Sequence, residues 1–164
     1  MIARATPKTG ARRRRLLYIE DDAESLALVE GLLADRKDLQ LLRAADTNLG
    51  IERSRSERPD VILINIDLPG PGSAASLIRL LRADPATETA PILALGASVS
   101  PEAIVKGLEA GFFQVLAKPL QAGLFMEAVA FALEFAAAER SEENPVLLRR
   151  HWHKGFSDGQ IQPL

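Results

Sequence analysis

Short apolar runs alternate with longer segments of helical period from Leu16 onward, and this alternation limits the fold more than any other feature of the chain. Such a pattern is typical of parallel strands joined by crossover helices. The predicted strands cover residues 16–19, 39–42, 61–66, 92–95 and 114–117, and the predicted helices cover residues 23–34, 48–55, 74–82, 101–110 and 121–139. The sequence therefore predicts five βα units.

The first and third predicted strands are continuous apolar blocks, which indicates that helices cover both faces of the sheet. The helix boundaries agree, because Asp22 is suited to cap the first helix, Ser100 precedes Pro101, and Gly111 follows the fourth helix. Crossover connections of this kind are right-handed in nearly all proteins. We expect an α/β fold, a doubly wound five-stranded parallel sheet with five helices, whose functional site lies beyond the carboxyl ends of the strands.

The composition restricts the class of protein. A chain of 164 residues, 47% hydrophobic and 26% charged, is long enough for one core. The absence of cysteine excludes disulfides and thiolate metal sites and fits a reducing compartment. The longest apolar-rich stretch, residues 124–138, is interrupted by Glu127 and Glu134 and is too short to cross a bilayer. We expect a cytoplasmic protein with no membrane segment and no cleaved leader.

The amino-terminal segment is strongly basic, since the first fifteen residues carry six basic side chains and no acid. Residues 1–14 are predicted to be a solvated, disordered arm. The alternative is a contact with nucleic acid or anionic lipid, but no aromatic residue lies among the arginines to stack on bases.

The regular pattern ends near residue 140, so the folded domain is predicted to cover residues 15–140 and a tail to cover residues 141–164. The tail contains Trp152 between His151 and His153. Two histidines at this spacing would ligate a metal weakly, but no carboxylate or cysteine partner has a recognisable spacing. A tail without a metal is the favoured interpretation.

Polar residues follow four of the five predicted strands. They are Glu20-Asp21-Asp22 after the first strand, Asn65-Ile66-Asp67-Leu68-Pro69-Gly70 at the end of the third, Gly96-Ala97-Ser98 after the fourth, and Lys118-Pro119 after the fifth. In a parallel sheet these groups meet at one edge, where carboxylates can hold a hard divalent cation and a lysine can balance their charge.

With these motifs the chain resembles the receiver domains of response regulators in two-component signalling, over roughly residues 15–140. The resemblance implies a flavodoxin-like fold, in which an acidic pair and a phosphoacceptor Asp bind Mg²⁺ while a Thr or Ser and a Lys grip the phosphoryl group. Glu20-Asp21 match the acidic pair and Lys118-Pro119 match the last motif. The spacings agree, with 44 residues from Asp21 to position 65 and 22 from position 96 to Lys118.

Three positions depart from the family pattern. Asn65 occupies the phosphoacceptor position, and a neutral carboxamide has no anionic oxygen with which to attack phosphorus. Gly96 replaces the switch hydroxyl, and Val115 replaces the aromatic residue whose rotamer follows the switch. We therefore expect a degenerate receiver, or pseudo-receiver, that does not accept phosphate at residue 65.

The metal site is expected to be weakened, because an amide at position 65 lowers the negative charge that faces a cation. Glu20, Asp21 and the backbone carbonyl of Asp67 remain as ligands that the resemblance implies. We expect weak Mg²⁺ binding at most and no required cofactor.

Two residues at the strand ends have competing roles. Lys118 either contacts phosphate or, as we favour, acts as counter-ion to Glu20 and Asp21. Asp67 lies two residues past Asn65 and would be the substitute acceptor, although the turn that follows is expected to direct its carboxylate out of the pocket. Pro119 matches the family's proline, whose preceding peptide bond is often cis.

The fifth predicted helix carries two apolar stripes, whereas covering a sheet needs only one. The stripe that includes Phe125, Val129 and Leu133 is the predicted interface, either with a partner protein or in a homodimer through the fourth and fifth helices. The equally weighted alternative is that the tail covers it.

The leading functional hypothesis is a phosphate-independent adaptor that docks to a histidine kinase, a response regulator or an effector protein. It is expected to be neither an enzyme nor a carrier of a DNA-binding output domain, since 24 residues follow Arg140. One alternative is a conventional response regulator, phosphorylated at Asp67 or carrying an introduced substitution at Asn65. Another is a flavodoxin-like enzyme or nucleotide-binding protein, which the lack of a Gly-rich loop after Ile19 disfavours.

Overall fold

The computed structural model describes residues 12–68 and 74–140. The strands are β1 (Arg14–Ile19), β2 (Leu39–Ala44), β3 (Val61–Asn65), β4 (Ile92–Gly96) and β5 (Gln114–Ala117). The helices are α1 (Ala23–Leu33), α2 (Thr47–Glu57), α3 (Ala74–Ala83), α4 (Pro101–Ala110) and α5 (Ala122–Arg140). Every predicted strand and helix is present, with ends that differ from prediction by at most two residues.

The five strands form one parallel sheet in the order β2-β1-β3-β4-β5, which confirms the predicted doubly wound α/β fold. Alternate residues of β1 enter opposite halves of the core, because successive side chains of a strand point to opposite faces. Leu16 and Tyr18 pack with α1 and α5. Leu17 and Ile19 pack with α3 and with Ile51 of α2. The sheet is thus covered on both faces, as its continuous apolar strands indicated.

Side-chain caps fix where the helices begin and end. The carboxylate of Asp22 accepts a hydrogen bond from the Ser25 N–H at the start of α1, and the Ser100 hydroxyl accepts one from the Ala103 N–H at the start of α4. Gly111 ends α4 with φ of 113°, a left-handed conformation that glycine adopts without a steric penalty. These three predicted boundary signals are confirmed.

The amino-terminal boundary differs from the prediction. β1 begins at Arg14, and Arg12 and Arg13 already contact the folded domain. Residues 12–14 therefore belong to the folded domain and not to the predicted arm, because their arginine side chains donate hydrogen bonds to backbone carbonyls of other segments. Residues 1–11, the tail with His151, Trp152 and His153, and the Pro69-Gly70 turn lie outside the described residues. In the described ranges no helix is both long enough and apolar enough to span a bilayer.

Candidate functional site

The carboxyl ends of four strands bring the predicted site residues together. Glu20 follows β1, Asn65 ends β3, Gly96 ends β4, and Lys118 follows β5. Backbone hydrogen bonds fix the register of this edge, since the Lys118 N–H donates to the Gly96 carbonyl at 2.8 Å. We call this group of strand ends the crevice.

The Glu20 carboxylate is the centre of the crevice, and it is completely buried. Its Oε1 accepts hydrogen bonds from Nδ2 of Asn65 at 2.9 Å and from the Asp22 N–H at 3.1 Å. Its Oε2 accepts from the Tyr18 hydroxyl and from Nζ of Lys118, both at 2.9 Å. A carboxylate offers about four lone-pair sites. All of them are occupied by donors from the chain itself.

These contacts set the ionisation of two buried groups. Burial acts to raise the pKa of Glu20, but hydrogen bonds from Lys118, the Asp22 N–H, Asn65 and Tyr18 outweigh burial and hold that pKa below its ordinary value. Burial, followed by the adjacent Glu20 charge, raises the pKa of the Tyr18 hydroxyl strongly. Glu20 is therefore ionised and Tyr18 is neutral at physiological pH.

Asn65 is held from both ends of its amide. While Nδ2 donates to Glu20, Oδ1 accepts from the Asp67 N–H at 2.9 Å, and the side chain is 8% exposed. The amide orientation follows from this network, because a flipped amide would place its oxygen against the Glu20 carboxylate without a proton between them. The donor that distinguishes Asn from Asp is thus used directly.

Asp67 lies at the mouth of the crevice and is exposed. Its Oδ2 accepts a hydrogen bond from the Ala97 N–H at 2.8 Å, which connects the loop after β3 to the loop after β4. The backbone N–H that follows Gly96 is therefore engaged by a carboxylate of the chain. The Asp67 side chain is directed toward the β4 end, whereas Lys118 pairs with Glu20.

A side chain at residue 96 would require Ile66 to shift from its position in this structure. A Cβ atom placed there would lie 2.7 Å from Cδ1 and 2.9 Å from Cγ1 of Ile66, closer than real contacts allow. Ile66 therefore occupies the space beside Gly96 that a switch hydroxyl needs. Val115, the other position that the sequence predicted to lack a switch side chain, is partly buried against the core face formed with Phe112.

The resemblance implied Mg²⁺ bound by Glu20, Asp21 and the Asp67 carbonyl, and the donor set can be compared with that expectation. Glu20 is saturated by N–H and O–H donors, one of them the Lys118 ammonium. Asp21 is exposed. Among residues 12–68 and 74–140, no group of three or more His, Cys, Asp or Glu side chains is arranged to hold a metal ion. The arrangement therefore does not fit a bound cation unless the Glu20 contacts rearrange.

Sequence reasoning found the strand-end residues but missed two contributors. Tyr18 lies two residues before Glu20 and, by strand alternation, on the same face of β1, so this spacing was an available signal. Ile66 was an ordinary apolar residue in the sequence, and nothing in the pattern indicated its contact with Gly96. Lys118 has the counter-ion role toward Glu20 that the sequence favoured, and the Lys118–Pro119 peptide bond is cis.

The predicted interface on α5 requires a correction. Phe125, Val129 and Leu133 are 1%, 0% and 2% exposed and pack on the sheet, so they are unavailable to a partner. Two other apolar side chains of α5 are exposed instead, Leu124 at 56% and Phe131 at 61%. The helix is rotated so that the stripe with Phe125, Val129 and Leu133 lies against β1 and β3 together with buried alanines of α5.

The match to protein families decides the classification. Residues 16–130 match the response regulator receiver domain. The chain belongs to the response regulator receiver family. The receiver is 33% identical over 106 residues to the phosphate regulon transcriptional regulatory protein PhoB of Klebsiella pneumoniae, covering 65% of this chain and 45% of that protein.

A second curated relative has a different output. It is a protein-glutamate methylesterase/protein-glutamine glutaminase of Anaeromyxobacter dehalogenans, 31% identical over 114 residues, covering 69% of this chain and 31% of that protein. The receiver thus spans a third to a half of the length of these relatives.

Solved structures of receiver domains share the fold. Chemotaxis protein CheY4 of Vibrio cholerae matches with a TM-score of 0.67 at 22% identity, covering 74% of this chain and all of that chain. The receiver domain of sensor histidine kinase PA1611 from Pseudomonas aeruginosa, described with magnesium in its active-site cleft, matches with a TM-score of 0.64 at 23% identity, covering 77% and 99%. The predicted flavodoxin-like receiver fold is confirmed.

Proposed function

We propose that this protein is a pseudo-receiver, which acts in two-component signalling by binding other proteins in one conformation and is not phosphorylated on residue 65. The observation that carries the proposal is the Asn65 amide, which donates to Glu20 and accepts from the Asp67 N–H. Residue 65 therefore has no negative charge, and its neutral amide oxygen, which already accepts a hydrogen bond, lacks the nucleophilicity of a carboxylate.

The charge balance of the crevice supports the same proposal. In a conventional receiver a divalent cation offsets the clustered carboxylates. Here the ammonium of Lys118 and three neutral donors surround Glu20, the buried carboxylate of the crevice. A buried charge is tolerated when it is paired and fully hydrogen-bonded. The crevice is therefore stable without Mg²⁺, and the weak affinity expected from the sequence follows from the need to displace these donors.

The coupling between the crevice and the surface supports a single conformation. A conventional switch needs a hydroxyl after β4 and an aromatic side chain on β5. In this receiver Ile66 fills the first position beside Gly96, and the partly buried Val115 occupies the second. A β-branched valine has a strongly restricted χ1, so no large side-chain movement connects the crevice to the outer surface.

The partner surface that we propose is formed by the outward sides of α4 and α5. Val105 on α4 is 54% exposed, and Leu124 and Phe131 lie seven residues apart on one side of α5. The Phe131 ring contacts Phe113 at a centroid distance of 5.4 Å, which holds it beside the start of β5. The proposed occupant is a kinase, regulator or effector protein, and a homodimer is the competing occupant.

Intact-mass analysis after incubation with Mg²⁺ and a small phosphodonor such as acetyl phosphate tests the central proposal. The expected result is an unchanged mass under conditions in which a conventional receiver, used as the positive control, gains one phosphoryl group. A phosphorylated adduct on the unaltered chain would overturn the proposal, and peptide mapping would then locate it.

A conventional response regulator phosphorylated at Asp67 is the second candidate. The supporting observation is that Asp67 carries an exposed carboxylate at the mouth of the crevice. Against it, that carboxylate is bound to the Ala97 N–H and Lys118 is paired with Glu20. Phosphorylation that disappears in Asp67→Asn and persists in Asp21→Asn would favour this candidate.

Analytical ultracentrifugation of the full chain separates the two occupants of the proposed surface. A concentration-dependent dimer that Phe131→Asp abolishes, and that Leu80→Asp on α3 leaves intact, would identify the homodimer. Leu80 is a matched control because it is also a half-exposed apolar side chain on a helix. A monomer at all concentrations would exclude the homodimer and leave a different protein as the partner.

A further inference from the structure

A second polar site lies at the edge of the sheet opposite the crevice. A cleft of about 340 Å³ opens there between the start of β1, the loop before β3, the loop before β4 and the end of α5. We call it the basal cleft. Its charged lining residues are Arg12, Arg58, Arg140 and Asp60. Three guanidinium groups from three separate segments therefore face one carboxylate, an excess of two positive charges.

Asp60 fixes two of these arginines and does not neutralise all three. Its carboxylate is 1% exposed and accepts from the Arg15 N–H at 2.6 Å. Arg12 forms an ion pair with it at 3.5 Å, and Arg140 forms a second one. A guanidinium carries five N–H donors. Both arginines are thus oriented through a few of their donors, while about half of each side chain remains exposed.

Arg58 is the third arginine, and its backbone conformation is unusual. It ends α2 with φ of 47°, a left-handed conformation that is favourable for glycine and costs other residues about 1 kcal/mol. Its guanidinium has no hydrogen-bond or ion-pair partner among the described residues, and Asp84, which feels its charge, is hydrogen-bonded to Arg55. The left-handed backbone of Arg58 therefore accompanies a guanidinium that lines the cleft and remains available to a ligand.

The loop before β4, which lines the basal cleft, is held by side-chain hydrogen bonds. Arg82 donates hydrogen bonds to the carbonyls of Thr87 and Ala90, and to that of Gly111 at the end of α4. This loop contributes Thr89 and Pro85 to the lining. Because the loop is fixed by side-chain hydrogen bonds, the cleft is largely formed before any ligand arrives, which lowers the entropic cost of binding.

We infer that the basal cleft binds a small molecule carrying a phosphate or diphosphate group. Guanidinium groups match phosphate oxygens through paired, charge-assisted hydrogen bonds, and two net positive charges fit a multiply charged anion better than a single carboxylate. The volume lies at the lower end of the range for small-molecule sites. The concave shape between Pro59 and Pro85 favours a compact anion over a nucleic-acid backbone. This inference is independent of the crevice and of the proposed function.

Calorimetric titration of the full chain with inorganic pyrophosphate, in EDTA and at matched ionic strength, tests the inference. We expect one-to-one binding that weakens about tenfold in Arg58→Gln, the loss expected for one charge-assisted contact. Arg58→Gly should weaken binding equally while keeping the fold, since glycine suits φ of 47°. Arg79→Gln, which removes an exposed arginine of α3 outside the cleft, should change the affinity less than twofold.

Amide chemical shifts in two-dimensional NMR locate the binding. Shifts at Arg58, Asp60 and residues 86–90, without shifts at residues 65–67 and 96–97, would support the basal cleft. The inference is overturned by absence of pyrophosphate binding, by equal weakening in Arg58→Gln and Arg79→Gln, or by shifts confined to the crevice. It is also overturned if a short DNA duplex binds more tightly than pyrophosphate and Arg58→Gln weakens that binding, because the cleft would then be a nucleic-acid site.

Discussion

Replacing Asn65 with Asp is the sharpest test of how the crevice balances its charge. The Asn65 amide nitrogen lies 2.9 Å from Oε1 of Glu20, so Asn65→Asp removes a donor and brings a second carboxylate into contact with the first. Two unit charges about 4 Å apart repel by about 4 kcal/mol at an effective dielectric constant of about 20. Protonating the new carboxyl at pH 7 costs a similar amount, since about three pKa units equal about 4 kcal/mol. Either route predicts a large loss of stability.

The assay is thermal unfolding at pH 7 in EDTA and then in excess Mg²⁺. In EDTA, Asn65→Asp is expected to melt roughly 10–15 °C below the unaltered protein. Because two adjacent carboxylates re-create a cation site, Mg²⁺ at about a hundredfold its dissociation constant should restore about 2.7 kcal/mol of that loss. The unaltered protein, whose Glu20 is saturated by its own donors, should respond to Mg²⁺ by less than about 1 kcal/mol.

Asn65→Ala is the matched control for this experiment. It removes the same hydrogen bond to Glu20 without adding charge, so it should cost about 1–3 kcal/mol and show no response to Mg²⁺. The reasoning is refuted if Asn65→Asp is as stable as the unaltered protein in EDTA. Equal stabilisation of both proteins by Mg²⁺ would refute it as well, because the closed crevice would then be no barrier to the cation.

Three further predictions follow from the same contacts. Tyr18 is the only tyrosine, and its pKa is raised in the folded protein, so its contribution to the free energy of unfolding is fully present below the ordinary pKa of 10.0 and is lost as pH rises above that value. The tyrosinate absorbance at 295 nm should therefore rise only as the protein unfolds. A rise while the protein is still folded would contradict this prediction. The lowered pKa of Glu20 means that its contribution is present above the ordinary value of 4.5 and is lost as pH falls through the lower folded value. The difference in urea stability between the unaltered protein and Glu20→Gln should narrow below pH 4.5, and a constant difference would be inconsistent with a charged Glu20. Gly96→Thr should lose about 1–3 kcal/mol in urea unfolding because of Ile66, and Ile66→Ala in the same chain should recover part of that loss; equal costs in both backgrounds would exclude the steric explanation.

The fold could be predicted because its signals are local and repeated. Each strand is a short apolar run, and caps such as Asp22 and Ser100 mark where helices begin. Since parallel strands all present their carboxyl ends to one edge, the positions of Glu20, Asn65 and Lys118 along the chain were enough to place them together. The start of β1 at Arg14 was missed because an arginine pair has no apolar signal, although its backbone pairs with β2.

The orientation of α5 could not be predicted from the sequence, because both of its stripes are apolar. Rotation of a helix on a sheet is decided by which side chains fit the available space. Phe125, Val129 and Leu133 are accompanied inward by alanines, which allow a close approach, whereas the large Phe131 ring lies at the side against Phe113. Which stripe of α5 is buried depends on contacts between segments that are distant in the sequence, and the spacing of apolar residues carries no information about those contacts.

The hydrogen bonds within the crevice were equally beyond the sequence. That Asn65 would be neutral was certain from its chemistry, but the satisfaction of all four Glu20 lone pairs depends on distances between three strands. The sequence favoured Lys118 as a counter-ion to Glu20 and Asp21 because of its charge alone. Tyr18 and the Asp22 N–H complete the arrangement through geometry that only the folded chain provides.

The contact between Ile66 and Gly96 links the side chains that these two positions can carry. A threonine at residue 96 requires the Ile66 side chain to shift, whereas a smaller residue at position 66 leaves the space beside Gly96 open. The effects of changes at the two positions are therefore expected to be coupled, since the cost of a side chain at residue 96 depends on the residue at position 66. Building a hydroxyl switch into this receiver therefore calls for substitutions at residues 66 and 96 that are designed together.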